Sequence, residues 1–224
     1  MNKLDTFKTL LHKKSALLKC IFSTLLFQFL VTTLIVMYIY NHSDLFGYIT
    51  KEGPSLLYLF LFLLVSIFLI IAMTGFDLSF QSRFFLFILF SIIEGFFLGF
   101  VTKYISKEII YSALSSTLAI FSTFLVIGFM VVYFGYDLSW LGVFLFIALL
   151  GIIIYQIVLF FLPPSQTQMR FVVTFVLILF SIFILYDTNN ILLKYKNNDV
   201  DCIRGALDYY LDIINIFVYS LHSQ

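Results

Sequence analysis

The stretch FFLFILFSIIEGFFLGFVTKY, from Phe84 to Tyr104, is apolar along most of its length and carries one acid, Glu94, near its middle. A run of about 20 apolar residues is long enough to cross the hydrocarbon core of a bilayer as an α-helix. The whole chain has this character, because its 224 residues are 62% hydrophobic, 20% aromatic and only 11% charged. Soluble domains are about 25% charged. The sequence therefore predicts an integral membrane protein.

Apolar runs separated by short polar breaks divide the chain into predicted membrane helices. Their predicted bounds are Cys20–Tyr40, Leu56–Phe76, Phe84–Tyr104, Ile109–Tyr133, Trp140–Phe161, Phe171–Tyr186 and Leu207–Leu221. The last run is short for a full crossing, so it could cross with little tilt, be buried among other helices, or re-enter and return to the same side. We predict an all-α bundle of six to seven transmembrane helices, the seventh short and re-entrant in one alternative. It forms a single polytopic membrane domain over residues 1–224.

Lysine and arginine are unevenly distributed among the breaks. With the N-terminus inside, nine of the 13 basic residues fall on the inner side, five of them in a tail of about residues 1–19. The positive-inside rule therefore favours a cytosolic N-terminus. A net charge of +1 gives no electrostatic case for binding nucleic acid. Cys20 and Cys202 lie far apart in different settings and support neither a disulfide framework nor a zinc site, and no cofactor is expected.

Four acidic residues lie in or beside apolar runs: Glu94, Asp187, Asp208 and Asp212. An ionised acid deep in a bilayer costs roughly 2.5–3.5 kcal/mol on insertion scales, so such residues usually face a bundle interior and are often functional. Asp208 and Asp212 are one helical turn apart on the same face. That face continues with Asn215 and Tyr219, which gives a polar stripe that should point into the protein.

Asp187 and Asp212 could meet at a similar depth, because the first ends the sixth run and the second follows the start of the seventh. Two close carboxylates titrate as a coupled pair and can act as a proton sensor. When deprotonated they offer hard oxygen ligands suited to transient Ca²⁺ binding. Structural roles remain alternatives: Asp187 could mark the polar end of its helix, Asp208 could be solvated among headgroups, and Glu94 could be a neutral interhelical hydrogen-bond donor.

The stretches LYDTNNI (Leu185–Ile191) and LDYYLDIINIFVYSL (Leu207–Leu221) resemble the two C-terminal signatures of the transmembrane Bax-inhibitor family. The family's other stretches are matched by SIIEGFFLG (Ser91–Gly99), YDLSWLGVFLF (Tyr136–Phe146) and QFLVTT (Gln28–Thr33). The last of these is most similar to the Lifeguard and Golgi anti-apoptotic protein branch. The resemblance covers about residues 10 to 221.

The resemblance implies a pH-sensitive Ca²⁺ leak from an internal store that suppresses cell death. Asp187 and Asp212 match a di-aspartyl pair whose protonation moves the pore between closed and open states, and Glu94 matches the third-span acid. It implies the Golgi or endoplasmic reticulum membrane for a eukaryotic or viral protein and the plasma membrane for a bacterial one. The expected partners are the lipid bilayer, Ca²⁺ and protons, with death-regulator proteins or self-association as further candidates.

Two departures from the family pattern affect these expectations. The family often carries an arginine near the end of the second span that can hold the pair closed, but IIAMTGFDLSF (Ile70–Phe80) has no basic residue. The nearest is Arg83, which is the candidate latch. Asp208 stands where the family usually has a small polar residue. A third carboxylate there should move the pH midpoint of the pair upward or strengthen divalent-cation binding.

Other functional classes fit less well. A non-conducting membrane protein that binds cell-death regulators is the main alternative. An intramembrane aspartyl protease would suit Asp187, which lies in a YD motif, but Asp212 is not preceded by GxG. Rhomboid-type and retinal sites need a histidine in mid-span or a lysine in the last span, and the predicted spans contain neither. We therefore expect a protein that is not an enzyme.

Overall fold

The structure is a computed structural model that describes residues 3–42, 56–103, 105–162 and 165–223. These residues form helices and no strand: α1 (Lys3–Asn41), α2 (Leu56–Gly75), α3 (Phe80–Thr102), α4 (Lys107–Phe134), α5 (Leu141–Phe161), α6 (Gln166–Leu193) and α7 (Asp199–His222). The break between the first two predicted helices, residues 43–55, and the predicted end of the third at Tyr104 lie outside the described residues.

The helices have the length and surface expected in a bilayer. Within the described residues, α1, α3, α4, α5 and α6 are each long and apolar enough to span a membrane, and α2 contributes a shorter apolar segment, Leu61–Gly75. Large apolar side chains such as Val143, Phe144 and Ile147 of α5 are exposed. Such a surface is stable against lipid tails and not against water. The prediction of an all-α, multi-pass membrane protein is confirmed.

Several helices begin earlier than hydropathy predicts, because polar residues form their first turns. α1 begins at Lys3, so the predicted N-terminal tail is helical and continuous with the first apolar run. α6 begins at Gln166, where Ser165 and Gln168 form a capping box that satisfies N–H groups at the helix start. The bounds of these helices therefore extend beyond their apolar segments.

The last helix differs from the prediction in length. α7 has 24 uninterrupted residues and carries Asp199 and Asp201 in its first turn, where carboxylates are favourable because the N–H groups of a helix N-terminus are partly positive. The short helix predicted from Leu207 is only its apolar part. Tyr209 and Tyr210 are fully buried. Of the three alternatives, burial among other helices agrees with the structure, and a re-entrant break does not.

The chain divides into two compact units, described separately. The first contains Met1–Leu17, Lys107–Asn197 and Leu207–Gln224, and the second contains Leu18–Ser106 and Asn198–Ala206. In the first unit α6 packs against both α4 and α5. The approach to α4 is close, because a Cβ on Gly128 would lie 2.7 Å from the Cβ of Thr188.

In the second unit α2 packs against α3, and α1 packs against α3 as well. A Cβ on Gly95 would lie 2.7 Å from Ile35, and one on Gly99 would lie 2.7 Å from Ile39. Small residues four apart let two membrane helices approach until their backbones nearly touch. The Glu-Gly stretch of the third predicted helix therefore includes the surface on which α1 packs.

A disulfide in the second unit corrects the prediction about the cysteines. Cys20 and Cys202 are bonded, with their Cα atoms 5.8 Å apart, although 182 residues separate them in sequence. That Cα distance is usual for a disulfide. The prediction was wrong because sequence separation carries no information on distance once helices pack side by side.

Candidate functional site

The structure places the side chains of Asp187 on α6 and Asp212 on α7 in hydrogen-bonding contact. Asp212 is 3% exposed and Asp187 is half-buried. A carboxylate has no donor, so two carboxyl groups can share a hydrogen bond only when one carries a proton. Oδ2 of Asp212 is buried without a hydrogen-bond partner among the described residues. The two carboxyl groups therefore lie close enough to share one proton.

Asp208 lies one turn before Asp212 and near enough to interact with it electrostatically. Its Oδ2 accepts a hydrogen bond of 2.5 Å from the hydroxyl of Tyr195, in the connection between α6 and α7. Asp208 is half-buried. A phenol donor this close orients the carboxyl group and offsets part of its loss of hydration. Tyr195 is therefore a member of the acidic site that the sequence did not reveal.

The same connection is held by the start of α1. Lys14 donates to the backbone carbonyl of Tyr195, and Nδ2 of Asn197 donates to the backbone carbonyl of Lys13 at 2.7 Å. These bonds fix the segment that carries Tyr195 and so fix the donor to Asp208. Two of the lysines assigned to the N-terminal tail thus contribute to this unit's structure as well as to its charge.

Thr188 follows Asp187 and holds α6 against α7. Its hydroxyl lies 2.9 Å from the hydroxyl of Tyr209 and 2.7 Å from the carbonyl of Ile184, to which it donates. Tyr209 is fully buried and packs edge-on against Phe121 at 5.5 Å. The bond between Thr188 and Tyr209 therefore joins the two helices beside the aspartate pair. Sequence reasoning considered only the acids of these motifs and missed both residues.

Asn189, the next residue, holds the turn between α4 and α5. Its Nδ2 donates to the carbonyl of Tyr136 at 2.9 Å, and its Oδ1 accepts from the N–H of Leu138 at 3.0 Å. The turn begins at Gly135, whose φ of 88° is easily adopted only without a side chain. Three successive residues of the LYDTNNI stretch thus bind α7 or the α4–α5 turn.

The same turn also contains an acid outside the membrane helices. The carboxylate of Asp137 accepts from the hydroxyl of Ser139 and from its backbone N–H, the latter at 2.8 Å. These two bonds hold the pKa of Asp137 below its ordinary value, because they stabilise the charged form. Asp137 is exposed, so it belongs to the turn and not to the buried acidic site.

The rest of the predicted polar stripe on α7 does not act together with the aspartates. Nδ2 of Asn215 donates to the carbonyl of Leu211 on its own helix at 2.7 Å. The hydroxyl of Tyr219 accepts from the amide of Gln156 on α5. Both side chains are half-buried. They lie on the predicted face, but their contacts are local bonds that secure α7.

Glu94 and Arg83, the remaining predicted site residues, lie in the second unit. Glu94 is 8% exposed and accepts a hydrogen bond of 3.2 Å from the hydroxyl of Ser66 on α2. Arg83 is also buried and donates to the carbonyls of Met73 and Phe76, the latter at 3.2 Å. Cations are favourable at a helix C-terminus, so the candidate latch binds the end of α2.

The described residues contain no group of three His, Cys, Asp or Glu side chains arranged to hold a metal ion. Ca²⁺ takes six to eight oxygen ligands. An ion passing Asp187 and Asp212 would need backbone carbonyls or water as well.

Known proteins resemble this chain over most of its length. A family model described as "Inhibitor of apoptosis-promoting Bax1" matches residues 14–223. Bax inhibitor 1 of Schizosaccharomyces pombe is 29% identical over 208 residues, which cover 93% of this chain and 75% of that protein. LIFEGUARD 4 of Arabidopsis thaliana is 29% identical over 133 residues, 59% of this chain and 53% of that protein.

A further relative extends over nearly the whole of both chains. LIFEGUARD 1 of Arabidopsis thaliana is 27% identical over 206 residues, 92% of this chain and 87% of that protein. The matched region includes all four acids in or beside apolar runs and the residues that bind Thr188 and Asn189. The family model spans all but the ends of the chain, and the chain therefore belongs to the Bax inhibitor and Lifeguard family of multi-pass membrane proteins.

Proposed function

We propose that this protein is a pH-regulated, Ca²⁺-permeable leak channel of an internal membrane that lowers store Ca²⁺ and inhibits apoptosis. One observation carries the proposal: Asp187 and Asp212 share a hydrogen bond within a membrane protein, and Asp212 is 3% exposed. Loss of the shared proton leaves two like charges in an environment of low dielectric constant. Their repulsion favours either separation of α6 from α7 or recruitment of a cation.

The contacts around Asp187 and Asp212 support a structural change that is confined to this pair. Thr188 and Asn189, which follow Asp187 on α6, are bonded to Tyr209 and to the carbonyl of Tyr136. A change in the protonation of the aspartate pair therefore acts on a small set of contacts. Asp208 adds a third carboxyl group nearby. Glu94 remains a predicted part of the ion pathway, and Glu94→Gln tests it in the same assay.

The direct test is Ca²⁺ flux into proteoliposomes across a pH series. We expect flux that varies with pH in the wild type and loses that variation in Asp187→Asn and in Asp212→Asn. Asp77→Asn is the matched control, because Asp77 is exposed in the α2–α3 turn. If wild-type protein of verified folding carries no Ca²⁺ at any pH, the leak proposal is wrong.

The cell-death role rests on the family and on the names of the relatives. Its test is survival of cells that express wild type or Asp212→Asn after a death stimulus, with store Ca²⁺ measured in parallel. Lower store Ca²⁺ and better survival, both lost in the variant, support the proposal. Fluorescent tagging and protease protection check the internal membrane and the cytosolic N-terminus.

A non-conducting protein that binds cell-death regulators remains the alternative. It predicts that Asp212→Asn preserves survival while no flux is present in either protein. Paired aspartates also occur in intramembrane proteases, so a peptide-cleavage assay accompanies the flux measurement. Peptide cleavage by the wild type that is lost in both Asp→Asn variants would show that the protein is an enzyme and not a channel. We propose that it catalyses no reaction.

A further inference from the structure

The bond between Cys20 and Cys202 joins two helices that are far apart in sequence. Cys20 lies on α1 and Cys202 in the first turn of α7. The chain has 2 cysteines in all. No other thiol of this chain therefore competes for either sulfur, and the pair can exist only as two thiols, as this disulfide, or as bonds to other molecules.

The two cysteine residues differ in their exposure. Cys202 is 1% exposed, whereas Cys20 is half-buried. Polar residues that flank the pair in sequence, Lys19 and Arg204, are exposed, so water reaches this end of both helices. A dissolved reagent therefore meets Cys20 first, and Cys202 is placed to react only with the sulfur of Cys20.

We propose that Cys20 and Cys202 form a thiol–disulfide modification site that exchanges with small disulfides such as glutathione disulfide and reversibly ties α7 to α1. The Cys20 thiol loses its proton to water, and its thiolate attacks one sulfur of glutathione disulfide, which forms a mixed disulfide and releases one glutathione thiolate. The Cys202 thiol then gives its proton to a glutathione thiolate, and its own thiolate attacks the Cys20 sulfur and releases the second glutathione as a thiolate. The chain loses two protons and two electrons, and glutathione disulfide accepts both electrons.

The bond restrains the helix that carries the acidic site. α7 is continuous from Asp199 to His222, so Asp208 and Asp212 lie about 9 Å and about 15 Å along it from Cys202. The oxidised protein therefore keeps the first turn of α7 bonded to α1, and reduction frees that turn. Oxidation should accordingly weaken the pH response of flux, a consequence that rests on the proposed function, whereas the exchange reaction does not.

The exchange reaction is tested by counting thiols on full-length protein in lipid nanodiscs. After equilibration with reduced or oxidised glutathione, exchange is stopped with acid and the protein is unfolded in sodium dodecyl sulfate, so that the buried Cys202 is also reached. Free thiols are then tagged with maleimide-polyethylene glycol and separated by gel mobility. We expect two tags after reduction and none after oxidation, with one tag in Cys20→Ser after reduction. Failure to lose the tags at any glutathione ratio, or failure of the native protein to regain them on reduction, overturns the proposal.

The tether is tested by hydrogen exchange in the peptide that covers residues 199–212. Reduction should speed exchange about tenfold in the wild type, as local opening becomes easier, and should change nothing in Cys20→Ser. If Cys20→Ser does not fold, Cys202→Ser replaces it as the control variant. If the rate of hydrogen exchange is the same in the oxidised and the reduced protein, the disulfide does not restrain α7, and the proposed tether is refuted. Absence of Ca²⁺ flux in both redox states refutes only the proposed function.

Discussion

One amide is expected to support the turn between α4 and α5. Asn189 is fully buried and bonds both the Tyr136 carbonyl and the Leu138 N–H, at 2.9 and 3.0 Å. The change Asn189→Leu keeps the number and branching of the side-chain heavy atoms and removes both bonds. It also leaves two backbone groups without the partner that they have in the wild type.

The expected loss of stability follows from these two bonds. A neutral hydrogen bond contributes about 0.5–1.5 kcal/mol net, and a buried polar group left without a partner costs about 1–3 kcal/mol. Both bonds are only partly buried, so water can replace some of what is lost. We therefore expect Asn189→Leu to lower the free energy of unfolding by about 2–3 kcal/mol.

The assay uses the single tryptophan of the chain, Trp140, which lies at the end of this turn. Fluorescence during a sodium dodecyl sulfate titration of protein in mild detergent gives the free energy of unfolding. Asn41→Leu is the matched control, because Asn41 is exposed at the end of α1. A loss below about 0.5 kcal/mol, the usual range for surface substitutions, would refute the assignment of Asn189 as the support of this turn.

Other substitutions test the remaining contacts. Gly128→Ala should lower the free energy of unfolding by about 1–3 kcal/mol through overpacking, because the new Cβ would lie 2.7 Å from Thr188. Gly151→Ala is the control: its Cβ would meet nothing within 4 Å, so it should be neutral or stabilising in the same titration. Equal effects of the two changes would contradict the packing argument. Tyr209→Phe should cost about 1 kcal/mol by removing the bond to Thr188, and an unchanged midpoint would show that the bond contributes nothing. Asp208→Asn should shift the pH midpoint of flux downward, because removing a neighbouring negative charge weakens proton binding by the pair. An unchanged midpoint would count against that coupling.

Helix positions could be predicted where apolar residues define them. α2 begins at the predicted residue, Leu56, and α5 ends at the predicted residue, Phe161, because lipid tails accept only long apolar segments. α6 and α7 begin earlier than predicted, at Gln166 and Asp199. Their first turns are polar and are stabilised by capping and by the helix dipole, which hydropathy does not measure.

The candidate site could be predicted in part. Asp187, Asp208 and Asp212 were identified because an acid in an apolar run is costly and must have a reason to be there. Thr188 and Asn189 were missed, because neutral polar side chains carry a much weaker signal. Their partners are 21 and more than 50 residues away, and a partner at that distance depends on how the helices are rotated about their axes.

The amino-acid sequence by itself determined the membrane setting, the helical class, the acids to examine and the family resemblance. Each of these follows from the cost of placing polar groups in lipid or from local motifs. The tertiary structure decided which side chains meet: Asp187 with Asp212, Tyr195 with Asp208, and Cys20 with Cys202. The physical reason is that hydropathy determines whether each segment lies in lipid or in water. Which side chains of two segments touch is determined by close packing in three dimensions.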